Sequence, residues 1–125
     1  MTNYKKLDKE DLAAVAAFVD RERILWYDEI NEEYSHDELS TARSYPDMVV
    51  RVTSTEEVSK LMAYANAKHI AVTPRGAGTG LVGASVAAEH GIMLDTTLMN
   101  HFIELDEKNL TLTVEPGVLL MEIAA

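Results

Sequence analysis

The chain of 125 residues contains no cysteine, which excludes a disulfide scaffold, thiolate metal ligands, an iron–sulfur site and a cysteine nucleophile. It also lacks an apolar run near the ~20 residues that a membrane-spanning helix needs, and its polar N-terminus has no signal-peptide core. Basic side chains are few, with 11 Lys and Arg against 21 Asp and Glu and a formal net charge of −10. Without a basic cluster to neutralise phosphates, nucleic acid is not an expected partner. These properties predict an acidic globular domain in the cytoplasm.

The middle of the chain has the clearest hydrophobic pattern. Residues 48–52 read as a strand, and Ser54 with Glu57 forms the capping box of a following amphipathic helix. Residues 70–73 predict a second strand, which Pro74 closes. A strand, a helix and a strand within this length indicate a βαβ unit, whose two strands are parallel.

Further elements are predicted on either side of this unit. Asp8 caps a short helix near the N-terminus, and residues 24–27 predict a short strand. A strand over residues 91–95 and a hairpin over 101–115 follow the unit. Residues 118–125 form an apolar, helix-forming run that stops without a cap, so we expect the chain to be cut from a longer one.

A glycine-rich segment, Arg75-Gly76-Ala77-Gly78-Thr79-Gly80-Leu81-Val82-Gly83-Ala84-Ser85, follows the second strand and holds four of the six glycines. Clustered glycines let successive backbone N–H groups converge on an anion such as a phosphate. The segment also leaves the carboxyl end of a parallel strand, where open α/β sheets bind their ligands. A flexible surface loop without a ligand is the competing interpretation.

Two common phosphate-binding motifs fit this loop poorly. A P-loop requires lysine at the position of Ala84. The spacing Gly78, Gly80 and Gly83 matches the Rossmann motif, but only residues 84–90 remain for its crossover helix before the next strand, too few for a long one. A Rossmann-type NAD-dependent dehydrogenase fragment therefore stays an alternative, as does a non-catalytic nucleotide-binding or interaction module.

Residues 72–83, Val-Thr-Pro-Arg-Gly-Ala-Gly-Thr-Gly-Leu-Val-Gly, resemble the flavin pyrophosphate loop of FAD-linked oxidases. These are the oxidases with a vanillyl-alcohol-oxidase (PCMH) type of FAD-binding domain, and the glycolate oxidase and D-lactate dehydrogenase group is the most similar. Supporting matches follow the family's order at residues 45–50, 54–58, 91–95 and 114–118. The resemblance extends from about residue 44 to the last residue.

The resemblance implies an α/β (α+β) fold. In this interpretation residues 44–125 are the N-terminal part of the FAD-binding domain, a lobe with a small mixed sheet and a parallel βαβ unit flanked by helices. Residues 1–43 are then a helical and irregular N-terminal extension.

The resemblance also implies the cofactor site. Some relatives attach FAD covalently through a histidine in this loop, but none lies between Pro74 and Glu89, so FAD is expected to bind non-covalently. The loop contributes ten of the expected FAD contacts and a second turn contributes two: Arg75, Gly76, Ala77, Gly78, Thr79, Gly80, Leu81, Gly83, Ala84 and Ser85, with Pro116 and Gly117.

The implied parent enzyme oxidises a D-2-hydroxy acid, of the glycolate or D-lactate type, to the 2-oxo acid. An electron-transfer flavoprotein, an iron–sulfur subunit or a quinone would accept the electrons, and the protein could assemble into an oligomer. No catalytic residue is expected in this segment. The four histidines lack metal-ligand spacing, so no metal site is expected, and the acidic pair Asp37-Glu38 is interpreted as solvated.

Overall fold

A computed structural model describes residues 4–38, 41, 43–81 and 83–124. Its main sheet has the strands β1 (Ile24–Trp26), β2 (Met48–Arg51), β3 (Val72–Arg75) and β4 (Ile92–Asp95), in the spatial order β1-β2-β4-β3. Strands β2, β4 and β3 are parallel, and β1 is antiparallel to β2. The predicted mixed sheet with a parallel βαβ unit is confirmed, and β4 lies between the two strands of that unit.

The sheet is covered on both faces, which explains why the first three residues of β2 and of β4 are all apolar. Helices α1 (Lys9–Ala16) and α2 (Thr55–Lys68) lie on one face, where Val50, Leu61 and Leu94 are buried. On the other face Val49 and Met93 are buried against residues that precede β2 and that follow the glycine loop. The strand β1, which precedes residue 44, is part of the same sheet.

The N-terminus of α2 forms only half of the predicted capping box. The Ser54 hydroxyl accepts the Glu57 N–H at 3.2 Å, as predicted. The Glu57 carboxylate instead accepts the Thr53 N–H at 2.7 Å and pairs with Arg23 at 2.7 Å. Hydrogen bonding to Arg23 lowers the pKa of Glu57 to about 2. This ion pair fastens the segment before β1 to helix α2.

Strand β3 differs from the sequence prediction by two residues. It runs over Val72–Arg75 rather than over residues 70–73, and Pro74 lies inside it. Because β3 is an edge strand that pairs only with β4, the N–H groups on its outer side have no strand partner. Proline is therefore tolerated there, and β3 continues to Arg75, the residue at which the loop begins.

The C-terminal third of the described chain forms a separate two-stranded sheet. Strands β5 (Phe102–Asp106) and β6 (Thr111–Val114) form the predicted hairpin, and helix α3 (Leu120–Ala124) follows. Several large apolar side chains of this region are exposed: Phe102, Ile103, Leu105, Leu110, Leu120 and Met121. Across the described ranges, no helix is both long enough and apolar enough to cross a membrane.

Candidate functional site

The three parallel strands end side by side on a row of charged residues. Arg51, Asp95 and Arg75 are partners in register at the carboxyl ends of β2, β4 and β3. Asp95 is buried and accepts hydrogen bonds from the Tyr34 hydroxyl at 2.7 Å and the Thr97 N–H at 2.8 Å. Burial and the Asp95 carboxylate raise the pKa of Tyr34, so its hydroxyl remains a donor. A polar cavity of about 250 Å³ lies between this row and the start of the loop.

The glycine loop presents unused backbone donors at this edge of the sheet. No helix occurs in the described part of residues 76–91, which agrees with the prediction that no long helix follows the loop. The backbone N–H groups of residues 76–81 donate to no protein atom in the part of the chain that the structure describes. A run of free N–H groups beside a sheet edge is a suitable binding surface for an anion.

A side chain would have different consequences at Gly78 and at Gly80. Gly78 has φ +76°, and a Cβ there would lie 2.2 Å from Nη2 of Arg75. A Cβ on Gly80 would meet no atom of the described residues within 4 Å. The positive φ and the nearby guanidinium therefore favour glycine at position 78, whereas the space beside Gly80 is open to a ligand.

The Arg75 side chain points into the protein and links the start of the loop to its end and to Glu33. It is buried, and its guanidinium donates to the carbonyl oxygens of Glu33 at 2.9 Å and Ser85 at 3.3 Å. The guanidinium carbon also lies 5.7 Å from the ring centroid of Tyr34, a cation–π distance. These contacts occupy the guanidinium on the inner side of the loop.

Asp37 corrects the interpretation of the acidic pair. It is buried rather than solvated, and its carboxylate accepts the Gly83 N–H at 2.7 Å. The backbone N–H of the adjoining Glu38 donates to the Gly80 carbonyl at 3.2 Å. The sequence carries no signal for this contact, because the carboxylate and the amide are 46 residues apart along the chain.

Two hydroxyl groups add side-chain donors to the loop. Thr79 is exposed, and the Ser85 hydroxyl is buried without a hydrogen-bond partner among the described residues. Ala77, Leu81 and Ala84 are exposed. A buried hydroxyl without a partner is costly, so Ser85 has a hydrogen bond to gain from a ligand.

The turn at Pro116-Gly117 lies beside the base of the loop. The Gly117 N–H donates to the Met99 carbonyl at 2.7 Å, and a Cβ there would lie 2.1 Å from the Thr96 carbonyl oxygen. The Thr96 N–H donates in turn to the Arg75 carbonyl at 2.9 Å. The structure thus brings the two predicted segments together, with Thr96 between them.

Comparison with known proteins gives the same assignment as this geometry. Residues 46–125 match the family described as FAD binding domain. The chain belongs to this family. Its cofactor is therefore FAD, as the resemblance implies.

Two curated relatives lie in the predicted enzyme group. The FAD-binding chain is 42% identical to a D-lactate dehydrogenase of Anaerostipes hadrus over 103 residues, covering 82% of this chain and 22% of that protein. It is 37% identical to glycolate oxidase subunit GlcD of Bacillus subtilis (strain 168), covering 71% of this chain and 19% of that protein. The chain thus spans about a fifth of the length of these relatives.

A solved structure shows the same fold. A substrate-bound p-cresol methylhydroxylase superimposes with a TM-score of 0.81 at 19% identity, covering 93% of this chain and 23% of that one. The predicted vanillyl-alcohol-oxidase (PCMH) type of fold is confirmed by this likeness.

Proposed function

We propose that the glycine loop binds the pyrophosphate of FAD non-covalently, with the backbone N–H groups of residues 76–81 as the main donors. The observation that carries this proposal is the run of N–H groups without an acceptor among the described residues, beside the open space at Gly80. The hydroxyls of Thr79 and Ser85 add two donors that suit phosphate oxygens. The proposed contacts are the twelve that the resemblance implies: Arg75, Gly76, Ala77, Gly78, Thr79, Gly80, Leu81, Gly83, Ala84, Ser85, Pro116 and Gly117.

These contacts fall into groups with different proposed tasks. Arg75 contributes through its backbone, because its guanidinium is bound to the Glu33 and Ser85 carbonyls. Gly83 shapes the end of the loop, because its N–H is donated to Asp37. Gly117 lets the second turn approach Thr96 closely, so this turn supports the base of the loop.

The proposed activity of the whole protein is oxidation of a D-2-hydroxy acid, of the glycolate or D-lactate type, to the 2-oxo acid. The curated relatives named D-lactate dehydrogenase and glycolate oxidase support this substrate class. Bound FAD would supply the hydride acceptor for the removal of two electrons and two protons from the alcohol carbon and its hydroxyl. The residues of this chain bind and orient the cofactor, and we assign none of them to catalysis.

An external acceptor must then take the two electrons. We propose an electron-transfer flavoprotein, an iron–sulfur subunit or a quinone for this step, since a dehydrogenase needs its cofactor reoxidised before the next turnover. The cytoplasm stays the proposed compartment on the sequence argument alone.

The experiment that tests this activity is an anaerobic substrate titration of the purified full-length protein. D-Lactate or glycolate should bleach the visible absorbance of the bound flavin and yield pyruvate or glyoxylate in a 1:1 ratio to the flavin reduced. L-Lactate is the matched control and should leave the flavin oxidised. A flavin that no D-2-hydroxy acid reduces would contradict the proposed activity, and a bound nicotinamide in place of flavin would contradict the proposed cofactor.

A further inference from the structure

The glycine loop is held from its inner side by a segment that precedes the matched FAD-binding region. Residues 33–38, here called the brace, lie before residue 46, where the family match begins. The brace contacts the loop at its start, its middle and its end through Arg75, Gly80 and Gly83.

We propose that the brace is a positioning element for the pyrophosphate loop and that Asp37 is its principal positioning residue. This inference rests on the proposed pyrophosphate site. Asp37 acts through Gly83 and is not itself expected to contact the cofactor.

The contact at the end of the loop is the strongest of the three. The Asp37 carboxylate is buried and accepts the Gly83 N–H at 2.7 Å, which is a short, charge-assisted hydrogen bond. Gly83 has φ +80°, so the chain turns sharply where this bond holds it. Asp37 therefore fixes the position of the loop near its C-terminal end.

The contact in the middle of the loop sets the direction of a peptide unit. The Glu38 N–H donates to the Gly80 carbonyl at 3.2 Å, so this carbonyl points towards the brace. The described peptides are all trans, and in a trans peptide the next N–H points the opposite way. The brace thus directs the Leu81 N–H away from itself.

The contact at the start of the loop is made by the Arg75 guanidinium, through its N–H groups and its stacking on one aromatic ring. Nη2 donates to the Glu33 carbonyl at 2.9 Å, and the cation lies over the Tyr34 ring. Nη1 donates to the Ser85 carbonyl at 3.3 Å, which joins the two ends of the loop. The brace therefore orders the loop before a ligand arrives, and such preorganisation lowers the cost of binding.

The first test needs no FAD. Asp37→Ala in the full-length protein removes the acceptor, and amide hydrogen exchange of the FAD-free protein should become at least tenfold faster at Gly83 while β2 and β4 are unchanged. Asp37→Asn keeps an oxygen acceptor at the same place and should restore slow exchange. Unchanged exchange at Gly83 in Asp37→Ala would overturn the inference even if the loop binds FAD.

The second test measures FAD affinity by fluorescence titration of the same proteins. Asp37→Ala should bind FAD at least tenfold more weakly, and Asp37→Asn within threefold of the unaltered protein. Asp28→Ala is the control, because Asp28 is an exposed carboxylate of the same region and its loss changes the charge equally. Equal weakening by Asp37→Ala and Asp37→Asn, or normal affinity in Asp37→Ala, would overturn the positioning role.

The outcome separates this inference from the proposed site. If Gly80→Val leaves FAD affinity unchanged, the pyrophosphate site is wrong and the positioning role falls with it, whereas the exchange result still reports whether the brace orders the loop. If Gly80→Val abolishes binding and Asp37→Ala does not weaken it, only the positioning role is wrong.

Asp37→Ser, whose side chain is too short to reach Gly83, replaces Asp37→Ala if that variant does not fold, with the same expected results.

Discussion

Gly80→Val is expected to lower the FAD affinity of the full-length protein by about a hundredfold or more, on the order of 3 kcal/mol. A branched side chain at this position would fill the open space beside the loop and move the phosphates away from several backbone donors at once. The free energy of unfolding of the FAD-free protein should not change, because a Cβ there meets no described atom within 4 Å. FAD titration and urea unfolding of the same preparation measure the two quantities.

Thr79→Val is the control for Gly80→Val. It keeps the shape of the side chain and removes one exposed hydroxyl, so the expected loss of FAD binding is smaller, about 1–2 kcal/mol. Normal FAD affinity in a folded Gly80→Val protein would show that the pyrophosphate lies elsewhere.

Gly78→Val is expected to weaken FAD binding by a similar factor and, unlike Gly80→Val, to destabilise the FAD-free protein. At φ +76° a branched residue is strained by about 1–3 kcal/mol, and its Cβ would collide with the Arg75 guanidinium. That collision would also disturb the bonds from Arg75 to the Glu33 and Ser85 carbonyls. Urea unfolding should show a lower free energy of unfolding for Gly78→Val and an intermediate value for Gly78→Ala.

The pair of glycine variants distinguishes two causes for the same loss of FAD. In Gly80→Val the loop keeps its structure and the ligand is excluded, whereas in Gly78→Val the loop itself is distorted. Equal free energies of unfolding for the two FAD-free variants would contradict this distinction.

The sequence predicts the parallel part of the fold well because its signals are local. The apolar run of β2, the Ser54 cap and the amphipathic face of α2 each follow from neighbouring residues, and the structure confirms them. The bounds of β3 are wrong by two residues, because Pro74 ends a strand by local rules. The sequence does not reveal that β3 is an edge strand, and at an edge the missing N–H of Pro74 is tolerated.

The sequence likewise predicts one part of the candidate site and misses another. The glycine spacing and the position after a strand predict where the loop lies, and the structure places the loop at the carboxyl ends of β2, β4 and β3. Asp37 is missed because its bond to Gly83 depends on tertiary structure, and an acidic pair in an irregular segment resembles any solvated surface. The inward direction of the Arg75 side chain is not predictable for the same reason, since Glu33 and Tyr34 contact it from a distant part of the sequence.

The most direct test of the central claim is a crystal structure of the full-length protein with FAD bound. The backbone nitrogen atoms of residues 76–81 should lie about 2.7–3.2 Å from pyrophosphate oxygens, a normal hydrogen-bond distance. The Gly83 N–H should still be donated to Asp37 in that complex. A pyrophosphate bound elsewhere, with the N–H groups of residues 76–81 facing solvent, would contradict the assignment of this loop.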